Sequence, residues 1–202
     1  MTKTTLPAIS IETLQTLVEE DTGAVSIKYL KGRPRQYRFD ASKGYFNIGG
    51  QEPITQTGKP FTLIPIGYRI FKDRLFEYGI REWLELFFID EMGAISNVTL
   101  HGYSVENFMK MSQDLFYENL SIREIEITIT PQERSSKANG KKYFIAGFEY
   151  KQADKAYLEM VRPLVADMEL FRSDTVKPTN EMILWENYPV ERVEKEQMNG
   201  QN

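Results

Sequence analysis

Cysteine is absent from the 202 residues, and histidine occurs once, as His101. Without cysteine there are no disulfides, no thiolate ligands and no sulfur nucleophile. A structural zinc site takes about four N or S ligands, more than one imidazole can supply. No apolar run approaches the roughly 20 residues of a membrane-spanning helix. The start, Met1-Thr2-Lys3-Thr4-Thr5, lacks the apolar core of a secretory signal. These absences predict a cytoplasmic protein, away from membranes, with no metal, no cofactor and no catalytic residues.

Positive charge is in slight deficit, with 25 Lys and Arg against 29 Asp and Glu. A net charge of -4 argues against a protein that coats nucleic acid by bulk charge, but the distribution is uneven. Between Lys28 and Lys43 six cations (Lys28, Lys31, Arg33, Arg35, Arg38, Lys43) face one acid, Asp40. Between Pro131 and Lys142 four cations (Arg134, Lys137, Lys141, Lys142) face Glu133. Acid collects towards the ends, at Glu12, Glu19, Glu20 and Asp21, and again at Glu181, Glu186, Glu191, Glu194 and Glu196.

What the chain does have is aromatic and alternating. The 12 Phe and 11 Tyr suit a strand-rich core. From Glu124 to Thr130, Ile125, Ile127 and Ile129 alternate with polar residues, the period-2 signature of a half-buried strand. Trp83 to Ile89 and Ile95 to Leu100 flank Asp90-Glu91-Met92-Gly93, a hairpin signal. Between them and the isoleucine strand, Val105, Phe108, Met109, Ser112, Leu115 and Phe116 fall on one helical face. Ser104 is the expected N-cap of that helix, 104–117.

Upstream, Ser10 is placed to cap a short helix, and residues 25–48 read as a three-stranded meander with Pro34 at a turn. Residues 49–60, with three Gly and two Pro, read as a loop. Phe61 to Phe71 reads as one strand bent at Pro65 and Gly67, or as two short ones. Asp73–Arg81 and Pro131–Gly140 are expected loops, and Lys141–Tyr150 the closing strand. Residues 152–172 carry a helical pattern interrupted by Pro163. The expected organisation is one domain, 1–180, followed by a polar and partly disordered tail, 181–202.

Two motifs resemble catalytic ones and fail on their neighbours. Gly58-Lys59 resembles the end of a phosphate-binding loop. Pro53 stands where that loop needs glycine, and Pro60 where it needs Ser or Thr. Glu149-Tyr150-Lys151 resembles half of a metal-dependent nuclease motif. Between Phe116 and Glu149 there is no aspartate to share the metal, so Glu124 or Glu126 would have to serve.

Single-strand binders need cations for phosphates and flat side chains for bases. The candidates are Lys28, Tyr29, Lys31, Arg33, Arg35, Tyr37 and Arg38 in the meander. The hairpin and its loops add Lys72, Arg74, Arg81, Trp83 and Phe87. The last loop and closing strand add Arg134, Lys137, Lys141, Lys142 and Tyr143.

In strand order and loop charge, Phe61 to Tyr150 resembles the single-stranded DNA-binding OB-fold proteins of phages and mobile elements. The resemblance covers less than half the chain. It implies a mainly β fold: a five-stranded OB-like barrel over 61–150, with added N-terminal strands and a C-terminal helix. It also implies non-catalytic binding of single-stranded DNA in replication or recombination. An acidic C-terminal region would recruit replication or recombination partners, although the terminal aromatic of such tails is missing here. Self-association into a homo-oligomer stays open. The alternatives are an assembly protein using the same barrel for protein contacts, and a metal-dependent nuclease.

Overall fold

Where apolar and polar residues alternate, the chain is extended. In the computed structural model, which describes residues 27–30, 32–75, 79–166, 168, 170–171 and 181–186, there are ten strands and two α-helices. The strands are β1 (Arg35–Asp40), β2 (Tyr45–Ile48), β3 (Glu52–Pro53), β4 (Phe61–Leu63), β5 (Pro65–Asp73), β6 (Arg81–Ile89) and β7 (Ile95–His101). Helix α1 (Tyr103–Tyr117) and a 3-10 turn (Ile122–Glu124) follow, then β8 (Ile125–Ser135), β9 (Lys142–Gln152), α2 (Lys155–Val165) and β10 (Glu181–Glu186). The large sheet has the order β10-β5-β6-β7-β1-β2-β3 and is mixed, since β1 runs parallel to β7. The small antiparallel sheet has the order β4-β8-β9.

The run from Phe61 to Asp73 belongs to both sheets. Its first part pairs with β8 (Phe61 opposite Ile129) and its second with β6 (Tyr68 opposite Leu86). The sheets thereby face each other across one core. Tyr68, Ile70, Leu84, Leu86, Val98, Leu100 and Tyr37 come from the large sheet. Leu63, Ile125, Ile127, Ile129 and Ala146 come from the small one. Phe61 and Phe46 stack at 5.0 Å, and Tyr37 meets Phe88 edge-on at 5.2 Å. Helix α1 closes one side with Val105, Phe108, Met111 and Leu115. On the other face of the large sheet, Phe87, Ile89 and Ile95 pack beneath Tyr157, Val161 and Val165 of α2.

The expected closed five-stranded barrel is not found among the described residues. An OB-like closure would pair β7 with β9. Here β1 occupies the edge of β7, with Tyr37 opposite Val98. The outward groups of β9 are satisfied otherwise: Phe144 N donates to Ala41 O at 2.7 Å. Ala146 N donates to Ser104 Oγ at 2.9 Å, and Ala146 O accepts from Asn107 Nδ2 at 2.8 Å. An edge already hydrogen-bonded to a helix has no need of another strand.

The same contacts correct the N-cap. Gly102 (φ 63) takes the cap position with no side-chain bond, while Ser104 is buried inside the helix and bonded to β9. The buried face also shifts. Met111 is inside, whereas Met109 is 39% and Phe116 74% exposed.

The first half of Pro131–Gly140 is strand, with Pro131 opposite Ala146 and pairing continuing to Ser135 opposite Lys142, and only residues 136–140 form the expected loop. Proline is tolerated there because β4 covers β8 only as far as Ile129, leaving the Pro131 nitrogen on an open edge. Of the first meander strand, expected over 25–30, the described residues 27–30 form only a bridge between Lys28 and Ala94. Helix α2 ends at Val165, short of the expected 172. Residues 181–186, expected to belong to the tail, form β10 against β5, with Trp185 opposite Arg69. The helix expected after Ser10, Lys31, and residues 187–202 lie outside the described residues.

Leu115 is 3% exposed within the main core. Leu115→Ala is expected to lower unfolding free energy by about 2–5 kcal/mol, read by urea denaturation.

Candidate functional site

The β1–β2 turn is built by one carboxylate. Asp40 Oδ1 accepts from Ser42 N at 2.9 Å, Ser42 Oγ at 2.6 Å and Lys43 N at 3.1 Å. Gly44 follows at φ +66 with the Phe144 ring 2.6 Å from where a Cβ would stand. Glycine thus permits both the backbone angle and the close seat of the turn on β9. Gly58 N also donates to Gly44 O at 2.7 Å, which brings the exposed Lys59 to the same place.

Cations from three segments therefore share one rim: Lys43, Lys59, and Lys142 beside the exposed Arg134, Lys137 and Lys141. Flat side chains are interleaved with them, since Tyr45, Tyr143 and Phe144 are half-buried. Lys43 Nζ donates to Tyr45 Oη at 3.2 Å and lies 5.5 Å from the ring centre. That bond, ahead of the Asp40 charge, raises the Lys43 pKa. Acids partly answer the rim, with Lys142 2.8 Å from Glu133 and Lys43 4.0 Å from Asp40.

The structure divides the other candidates. Lys72, Arg74 and Arg81 sit at the same end of the large sheet as this turn, since Asp73 is opposite Arg81 and Trp83 opposite His101. Lys72 lies 4.0 Å from Glu82. Lys28, Arg33 and Arg35 belong to the opposite end, about 16 Å away along β1 at the usual rise per residue. Arg35 there meets Asp90 at 3.2 Å.

Three aromatic candidates are core residues with no face for a base. Tyr37 (3% exposed) donates to Asp90 at 3.1 Å, and burial, then the Asp90 charge, pushes its phenol above the ordinary range. Trp83 (1%) donates its indole N–H to Asp73 O at 3.0 Å. Phe87 (1%) packs beneath α2. Tyr29 is half-buried against that same cluster, and its hydroxyl accepts from Gly32 N at 3.0 Å. Large aromatics in a two-faced sheet go where area can be buried, and both faces here are largely covered.

A feature that local charge did not reveal lies between the cationic sides. On the outer face, one row crosses five strands: Arg69, Glu85, Thr99, Arg38 and Asn47 are successive partners. Its first pair is buried, with Arg69 Nε 2.7 Å from Glu85 and the guanidinium 4.4 Å from the Phe71 ring centre. Beyond it the row opens into a cleft of about 460 Å³ lined by Arg38, Asp40, Asn47, Trp83, Thr99 and His101, with Ser42 at the turn. The signal was polar residues at period 2 (Asn97, Thr99, His101) within an apolar strand.

Among the described residues no three His, Asp or Glu side chains gather as a metal site requires. The Glu149-Tyr150-Lys151 motif has its lysine 2.9 Å from Glu126. No described helix is long and apolar enough to cross a membrane. No known family model, curated protein or solved structure matches the chain.

His101 faces Trp83 edge-on at 5.1 Å, and burial, then the Arg81 charge, lowers its pKa from the ordinary 6.5. As the chain's one histidine, it should give a single imidazole titration by NMR with a midpoint below 6.5. The unfolded chain takes up this proton first, so His101 costs no stability above pH 6.5 and lowers it as pH falls from there through the folded pKa. His101→Gln should flatten that acid-side loss.

Proposed function

We propose that this chain binds single-stranded DNA without catalysis, along the rim where the β1–β2 turn meets β9. The observation that carries the reading is the bond from Phe144 N to Ala41 O. It brings the end of one densely cationic stretch, at Lys43, against the other, at Lys141 and Lys142. Phosphates would meet Lys43, Lys59, Arg134, Lys137, Lys141 and Lys142. Bases would stack on Tyr45, Tyr143 or Phe144, whose rings keep some exposure. The net charge of -4 suits a local track better than a coat over the whole surface.

An OB-like ancestry of the barrel belongs to this proposal. The run from Phe61 to Asp73, shared between two sheets, supports it, as does the order of three strands, helix and two strands. The β1–β2 hairpin then enters where such a barrel would close. A role in replication or recombination follows as the setting that requires such binding, with the acidic C-terminal residues as a contact for protein partners.

The test is an oligonucleotide titration at several salt concentrations. Lys43→Ala with Lys142→Ala should weaken binding and flatten the salt slope by about 0.7 for each phosphate no longer neutralised. Arg35→Ala, which removes a partner of Asp90, should lower stability and leave the slope unchanged. Unaltered affinity and slope in the double variant would sink the rim as the binding track.

A further inference from the structure

We propose that the cleft on the outer face of the large sheet takes one base of the bound strand and favours a base carrying an exocyclic amino group. This rests on the single-strand reading above and names what the site selects. The cleft, about 460 Å³, is of the size that small ligands occupy. In its wall Asn47 is 4% exposed, and its side-chain oxygen has no hydrogen-bond partner. A buried acceptor left so is costly, and a donor from a water or from a ligand in the cleft relieves it. Phosphate and carboxylate bring acceptors alone, and an apolar ligand brings nothing. The edge of a nucleobase brings N–H groups.

Two planar groups in the lining suit a flat ring. One is the Arg38 guanidinium, held by Gln36 at 3.3 Å; the other is the His101 imidazole, set edge-on to Trp83. The lining continues through Asp40, Ala41 and Ser42, so the mouth of the cleft lies against the turn that carries Lys43. A strand following the rim reaches the cleft without crossing the core.

The donor requirement discriminates between bases of similar size. Cytosine projects an amino group from its edge. Thymine sets its N3–H between two carbonyls, whose oxygens would face the Asn47 oxygen.

The experiment compares oligo(dC) and oligo(dT) of equal length, by fluorescence anisotropy over several salt concentrations, with the full chain. The wild type should bind oligo(dC) more tightly by roughly 5- to 100-fold, the range for one well-made base contact. Asn47→Leu should abolish the preference while leaving the salt slope intact. Thr99→Phe, which fills the cleft from a half-buried position, should do the same and keeps the test alive if Asn47→Leu does not fold. Equal affinities with ordinary salt dependence overturn the cleft proposal and leave the single-strand reading standing. So does a preference that survives in both variants. No binding of either oligonucleotide at low salt overturns both.

Discussion

The arrangement depends on one buried carboxylate. Asp90 is 3% exposed and takes five donors: Tyr37 Oη, Arg35 Nη1, Ser96 Oγ, and the backbone N–H groups of Met92 and Ala94. A buried carboxylate is tolerable only when its oxygens are satisfied and its charge is answered, and here both conditions are met by different parts of the chain. The backbone donors shape the β6–β7 turn. The side-chain donors Arg35 and Tyr37 belong to β1. Asp90 therefore locks β1 to the edge of β7, in parallel register and without a crossover helix.

The rest follows from where β1 is held. Its far end places the β1–β2 turn on Phe144, and Gly44 allows the two to touch. With β1 on β7, no strand among the described residues meets the edge of β9. Ser104 and Asn107 of α1 satisfy Ala146 instead. The basic meander is thus part of the main sheet, and its cations are sorted by position along β1. Arg35 serves the structure, Arg38 faces the cleft, and Lys43 stands on the rim.

Covered faces also explain which aromatics remain available. The large sheet has its main core on one side and α2 with its cluster on the other. Trp83, Phe87 and Tyr37 are consumed in this packing. Of the rings on the rim, Tyr45, Tyr143 and Phe144 keep some exposure and lie at the beginnings of strands, where the core ends. The proposed base stacking therefore belongs to these margins.

Local elements were legible from residue order alone. Period-2 alternation marked Ile125, Ile127 and Ile129, all fully buried, and the Asp90–Gly93 turn was readable from its residue types. Helical spacing marked Val105, Phe108 and Leu115. These features follow from one chain segment meeting water on one side and core on the other. Three-dimensional pairing alone settled which strand meets β7, that Ser104 bonds a strand instead of capping its helix, and that Trp83 is buried while Tyr45 is not. Each of those turns on a partner far away in sequence, such as Asp90 for Tyr37 or Ala41 for Phe144. The cleft is of the same kind: Arg38, Asn47 and Thr99 are ordinary polar residues until strand register sets them in one row.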